Sequence, residues 1–281
     1  MPHKCIGLTW RKVSKFTDYT PWKYTSESVV KPFMRYFFEI AYNGKNYAGW
    51  QSQANALGVQ SVVEEILGKM FRTPISIVGS GRTDAGVHCE QQFFHADIPK
   101  EFHQEQLIQR LNSFLPRDIS IQSISKVKDD ASARHQAIER SYQYRITCSK
   151  NPFAEGLAWH YFKKLDVDKM NTAAAQLIGE HDFQCFSKVK TDVNHFICAV
   201  KKAGWKMDGD RLEFTITANR FLRGMVRAIV GTLLDVGTGK TSMKEFSQII
   251  YSKDRKKAGA NVPPYGLYLT KVKYPSHVFI R

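Results

Sequence analysis

Arg35-Tyr36-Phe37-Phe38-Glu39-Ile40-Ala41-Tyr42 opens the regular pattern of this chain. Tyr36, Phe38, Ile40 and Tyr42 alternate with Arg35, Phe37, Glu39 and Ala41, a period of two that predicts a strand with one well-buried face. A glycine-punctuated loop, residues 43–49, follows. Val59, Val62, Val63, Ile66, Leu67, Met70 and Phe71 then recur at i, i+3, i+4 and i+7 spacing, which predicts a helix packed on that strand. Strands over 75–78 and 91–96, a helix over 104–115 and a strand over 119–127 extend the pattern to a polar break at Asp129-Asp130, closing one α+β unit.

Downstream the theme returns. Strands are predicted over 141–148, 158–162, 193–207, 211–218 and 266–272, with helices over 167–178, 221–236 and 243–251. The fold class is therefore α+β, with two mainly antiparallel sheet-and-helix halves over 34–130 and 131–281. No residue-level repeat relates them. Residues 1–33 carry neither period and read as an N-terminal extension: a basic RNA-binding arm, or a segment upstream of a genuine initiator at Met34.

The chain has 281 residues, 43% hydrophobic and 24% charged, the balance of a folded globular protein of one large or two medium domains. No run of ~18 apolar residues occurs, and the greasiest stretch, 221–236, is broken by Arg223 and Arg227, so a membrane protein is not expected. No signal peptide is recognisable, which makes the cytoplasm the expected compartment. Lys and Arg number 41 against 26 Asp and Glu, a net charge of +15 that points to a polyanionic partner, nucleic acid first. The five cysteines are scattered without a C-x-x-C pair, and the histidines show no ligand spacing; reduced thiols and no metal are expected.

Three stretches carry candidate chemistry. Gly79-Ser80-Gly81-Arg82-Thr83-Asp84-Ala85-Gly86 fails as a dinucleotide loop, because Asp84 stands where the third glycine belongs and would repel pyrophosphate. Gly239-Lys240-Thr241 fails as a P-loop, because Leu234 replaces the leading glycine. Asp84 itself sits beside Arg82 in a glycine-rich loop between strands. A neighbouring guanidinium favours the charged form of a carboxylate, which suits a nucleophile or base; the alternative is an Asx-turn capping its own loop. Arg220, Arg223 and Arg227 would form a basic stripe on the predicted 221–236 helix, opposite Leu222, Val226, Ile229, Val230 and Leu233. Tyr142 and Tyr144 point the same way from a strand, towards a nucleobase or towards the core.

Gly81-Arg82-Thr83-Asp84-Ala85-Gly86-Val87-His88 resembles the signature loop of the tRNA pseudouridine synthase A family. Tyr42-x-Gly44-x-x-Tyr47-x-Gly49-Trp50-Gln51, Arg140-x-Tyr142-x-Tyr144, Met225-Val226-Arg227-x-x-Val230-Gly231 and Gly266-Leu267-Tyr268-Leu269 follow in the family's order. Cys89 and Arg223-Gly224 fill variable-looking places expected to lie away from the chemistry. The resemblance implies a pseudouridine-synthase-like fold with its halves flanking a basic cleft. It also implies an isomerase that converts uridine to pseudouridine in the tRNA anticodon arm, at positions 38 to 40, acting as a homodimer without metal or cofactor. Asp84 matches the essential aspartate, attacking the ribose C1′ or assisting removal of a C2′ proton. Tyr142 matches the tyrosine that stacks on the target base, Arg227 the arginine paired with the carboxylate, Leu267 an apolar wall and Arg82 the residue that fills the space left by the flipped nucleotide. Other readings are a related eukaryotic-type synthase acting on other uridines and a non-catalytic RNA chaperone on the same scaffold.

Overall fold

Strand and helix periods place most elements where the sequence puts them. In the computed structural model, which describes residues 33–99, 101–188 and 193–280, the order begins β1 (Met34–Tyr42), α1 (Val59–Phe71), β2 (Ile77–Gly79), β3 (His88–Ile98), α2 (Gln104–Phe114) and β4 (Ile119–Lys126). It continues with β5 (Glu139–Thr147), β6 (Trp159–His160), α3 (Val167–Ala175), β7 (Gly179–Asp182), β8 (Ile197–Asp208), β9 (Arg211–Ala218), α4 (Met225–Gly237), α5 (Met243–Ser252) and β10 (Leu267–Lys273). Apart from Phe33, the extension expected over 1–33 lies outside the described residues.

All these strands belong to one sheet, ordered β4-β1-β3-β10-β5-β9-β8-β7, with β2 added on β3 and β6 on β5. Its neighbours are antiparallel except β10 on β3 and β6 on β5. The β3–β10 pair, in which Tyr268 lies opposite His88 and Leu269 opposite Cys89, joins the early strands to the late ones. Because β10 pairs on its other side with β5, the C-terminal strand brings Leu267 opposite Tyr144 and Leu269 opposite Tyr142.

Two apolar clusters flank this seam. One gathers Phe38, Trp50, Leu67 and Phe94, with Phe38 and Phe94 stacked at 4.8 Å across β1 and β3. The other gathers Tyr144 and Phe214 of the sheet with Leu233 of α4 and Phe246 of α5. Fully burying each such side chain contributes about 1.5–3 kcal/mol. Tyr142 packs against both clusters. Leu269, Val272, Tyr274 and Val278, late in the chain, belong to the first cluster.

Local departures from the sequence pattern have physical causes. Phe37, expected on the open face of β1, is buried, because Tyr274 and Phe279 from the C-terminal segment close over it at ring separations of 5.0 and 6.0 Å. The expected 221–236 helix starts only at Met225. Gly224 takes φ +74°, a left-handed turn that ends the preceding segment and redirects the chain. Arg220 and Arg223 therefore precede the helix and only Arg227 lies on it, so the basic stripe is not a helical face. The apolar side holds: Leu222, Val226, Ile229, Val230 and Leu233 are all buried. The strand expected to begin at 193 begins at Ile197, and β7 occupies a polar stretch that gives no apolar period.

Candidate active site

The loop between β2 and β3 is held from several directions before any side chain in it does chemistry. The Ser80 N–H donates to Phe93 O (2.7 Å) and the Gly86 N–H to Tyr47 O (3.1 Å). Gln92 Nε2 donates to Gly81 O (3.1 Å), Arg140 Nη2 to Ser80 O (2.8 Å), and the Tyr42 and Thr83 hydroxyls share a buried hydrogen bond of 2.9 Å. Gly49 runs against the loop backbone at φ +92°; a Cβ there would sit 2.2 Å from Thr83 O. His88 ties the C-terminal end down. Its Nδ1 accepts from the Gly44 N–H (3.1 Å), so the proton belongs on Nε2, which faces Gly156 O at 3.0 Å and Tyr265 O at 3.1 Å. Burial holds its pKa below the ordinary histidine value, and its ring stacks on Tyr268 at 4.6 Å.

On this support Asp84 presents a carboxylate that is 30% exposed, facing two guanidinium groups. Arg227 Nη1 lies 3.5 Å from Oδ2, while its Nε donates to Val262 O at 2.7 Å and keeps the side chain 81% out of solvent, its exposure being 19%. Arg223 Nε lies 3.9 Å from Oδ1 on a side chain that is 63% exposed. The charge partners of Asp84 are thus not those expected from adjacency. Arg82, next but one in sequence, turns away and donates from Nε to Gln51 Oε1 at 3.0 Å, in the open.

Tyr142 and Tyr144, which alternation puts on one face, have separate fates. Tyr144 is fully buried and its hydroxyl donates to Pro263 O at 2.9 Å. Tyr142 is only partly buried, edge-on to Phe221 at 5.0 Å. Burial pushes its hydroxyl pKa well up, and the negative charge of Asp84 adds to that, so the phenol is neutral at physiological pH. Leu267, buried at the start of β10, packs in the cluster that Tyr142 overlies.

A family model described as tRNA pseudouridine synthase matches residues 173–275, and one described as an uncharacterized protein conserved in bacteria matches residues 77–219. The tRNA pseudouridine synthase A of Porphyromonas gingivalis is 49% identical over 250 residues, covering 88% of this chain and 99% of that protein. That of Parabacteroides distasonis is 46% identical over 246 residues, 87% and 98% of the two chains, and that of an Exiguobacterium species 37% over 235, 84% and 96%. The chain belongs to the tRNA pseudouridine synthase A family.

Within the loop between β2 and β3, the sequence alone singled out Asp84 and left its support unread. Tyr42, Gln92, Arg140 and His88 fix the loop, and Gln51 holds Arg82. Arg223, expected to stand clear of the chemistry, faces the Asp84 carboxylate instead. The basic stripe puts Arg223 near Arg227 whether or not the stretch is helical; what the sequence does not show is that Asp84, on a loop about 140 residues earlier, meets that stripe. Among the described residues no group of three or more His, Cys, Asp and Glu is placed to hold a metal ion, and no helix is long and apolar enough to cross a membrane. Cys89, Cys148, Cys185 and Cys198 are free thiols, all but Cys148 buried.

Proposed function

We propose that this protein isomerises uridine to pseudouridine in the anticodon stem-loop of tRNA, at positions 38 to 40, and that Asp84 carries the chemistry. The observation behind this reading is a single carboxylate in a braced loop, flanked by two arginines and approached by a partly buried tyrosine. The reaction replaces the N1–C1′ bond of uridine with a C5–C1′ bond; the C5 proton leaves and N1 gains one, so no redox partner is needed. One carboxylate suffices on either route. It displaces uracil at C1′ and is itself displaced when C5 returns, or it takes the C2′ proton as uracil departs and gives it back.

The remaining groups divide the work. Arg227, anchored through Val262, orients the carboxylate. Tyr142 offers its ring to the extruded base, offsetting a flipping cost of a few kcal/mol with about 1–3 kcal/mol of stacking. Leu267 walls the pocket and keeps water from it. Arg82, poised on Gln51, enters the space that the flipped nucleotide vacates. The halves over 34–130 and 131–281 flank a basic cleft, with the late residues Leu269, Val272, Tyr274 and Val278 crossing over to pack in the cluster of the first. Excess Lys and Arg supply phosphate contacts in that cleft, which set affinity and register. The protein works in the cytoplasm as a homodimer, without cofactor.

Asp84→Asn tests this. The variant keeps the side-chain volume, so tRNA binding measured on filters is expected within a few fold of the parent, while tritium release from C5-labelled uridine in tRNA falls to background. Substantial release by the variant would remove Asp84 from the chemistry.

A further inference from the structure

Arg223 and Arg227 reach the two oxygens of one carboxylate, yet they are built for different tasks. Arg227 comes from the first turn of α4, is mostly shielded, and is pinned by its Nε–H to Val262 O. Arg223 comes from the non-helical segment before Gly224, is 63% exposed, and meets Asp84 at 3.9 Å, beyond hydrogen-bonding distance. Its backbone is fixed, since Arg223 O accepts from the Lys188 N–H at 2.9 Å, so only the side chain is free to swing. An ion pair this long and this exposed is worth ~0–1 kcal/mol and separates at little cost. A phosphodiester offers the same guanidinium a stronger, two-pronged partner.

We propose that Arg223 is an exchangeable counter-ion. In the free enzyme it covers Oδ1 of Asp84, and when RNA arrives it transfers to a phosphate flanking the target uridine, leaving Oδ1 open to the ribose while Arg227 stays on Oδ2. The inference rests on the reading of Asp84 given above. Arg223 is thereby a substrate-positioning residue. It biases exposure of the reactive oxygen towards RNA: with a free nucleoside, lacking the phosphate, Asp84 is covered more of the time, by the up to about fivefold that an exposed ion pair allows. The positions of the two arginines follow from the left-handed turn at Gly224, which sets Arg223 on the solvent side of the carboxylate and Arg227 on the protein side.

The test pairs Arg223→Gln with an anticodon stem-loop RNA carrying neutral methylphosphonate linkages on either side of the target uridine. With the ordinary stem-loop, Arg223→Gln is expected to raise KM about tenfold, to leave kcat within threefold, and to lower the slope of log K against log salt by about 0.7–0.9, the loss of one phosphate contact. With the methylphosphonate stem-loop, parent and variant should share the same KM, but the parent, whose Arg223 has no phosphate to move to, should turn over more slowly than Arg223→Gln, whose Asp84 is uncovered; equal kcat on that RNA would leave a plain phosphate contact and overturn the exchange. Arg223→Lys, which keeps the charge, should recover part of the lost affinity on the ordinary RNA. An unchanged KM and salt slope, an equal loss on both RNAs, or a fall in kcat alone would each overturn the exchange. Parent protein that forms no pseudouridine in the ordinary stem-loop, or Asp84→Asn that forms it normally, would instead refute the proposed function on which the exchange stands.

Discussion

Replacing Tyr142 by alanine and by phenylalanine separates the ring from its hydroxyl. The ring is edge-on to Phe221 at 5.0 Å and packs against both apolar clusters, with part of its surface exposed. Alanine removes the stacking platform, about 1–3 kcal/mol, which at ~1.4 kcal/mol per decade slows base detachment roughly 5- to 150-fold. It also forfeits the aromatic pair, ~0.5–1.5 kcal/mol, and some apolar burial, so a lower melting temperature accompanies the kinetic loss. Phenylalanine keeps both the platform and the Phe221 contact. Since burial and Asp84 hold the Tyr142 hydroxyl protonated far above neutrality, the parent and phenylalanine rates should keep a constant ratio from pH 6 to 9. If the hydroxyl helps remove the C5 proton, phenylalanine should detach the base at the parental rate and lag in forming product. Single-turnover measurements that follow base detachment and pseudouridine separately, on samples checked for folding, distinguish these steps. Equal detachment rates for the alanine and phenylalanine variants would remove Tyr142 from the pocket and return it to the sheet core.

Arg227→Lys preserves charge, but one ammonium on a shorter stem does not hold Val262 O and Asp84 together; pseudouridine formation is expected to drop at least tenfold with tRNA affinity held within a few fold, and parental activity would show that charge alone is enough. Gly49→Ala forces a Cβ to within 2.2 Å of Thr83 O at a left-handed φ, so it should cost more than about 2 kcal/mol in urea unfolding and reduce turnover by displacing the Asp84 loop; an unperturbed melt would contradict the close approach. Stability should also fall in mild acid. His95 accepts the Ala133 N–H on Nδ1, and burial, reinforced by the Arg35 charge, lowers its pKa to about 4. Its contribution is complete above the ordinary histidine value of ~6.5 and is lost as pH falls from there towards 4, because only the unfolded chain takes up the proton. Urea unfolding at pH 7 and 5 should differ by about 1–2 kcal/mol, after allowance for the partial exposure of the ring, and His95→Asn, which keeps an acceptor without titrating, should narrow the gap. An unchanged gap would assign the acid sensitivity to other groups, although Asp97, held low by its hydrogen bond from Arg35, responds only in stronger acid.

Local periodicity was enough to read most elements, because each depends on which side of a strand or helix meets the core. Alternation from Tyr36 to Tyr42 marks β1 and the 3.6-residue recurrence from Val59 to Phe71 marks α1. It failed where the deciding contact lies elsewhere in the chain. Phe37 is buried by Tyr274 and Phe279, more than two hundred residues later. β7 carries no apolar period at all, and α4 begins late because the left-handed turn at Gly224 outweighs an apolar pattern that would have continued.

For the site, the sequence by itself determined that Asp84 lies in a glycine-rich loop between strands, that Tyr142 and Tyr144 alternate onto one face of theirs, and that the chain carries a net charge of +15. Those statements depend on neighbouring residues and on summed charge. Tertiary structure decided which cations face Asp84. Adjacency favoured Arg82, and only the family resemblance pointed to Arg227; Arg82 is turned to Gln51, while Arg227 and Arg223, some hundred and forty residues away, face the carboxylate where β10 joins β3 to β5 and α4 shares an apolar cluster with Val87, Tyr144 and Leu267. It also decided that Tyr144 closes into the core while Tyr142 stays partly open. Charge pairing acts through space over a few ångströms, and only the folded chain sets those distances.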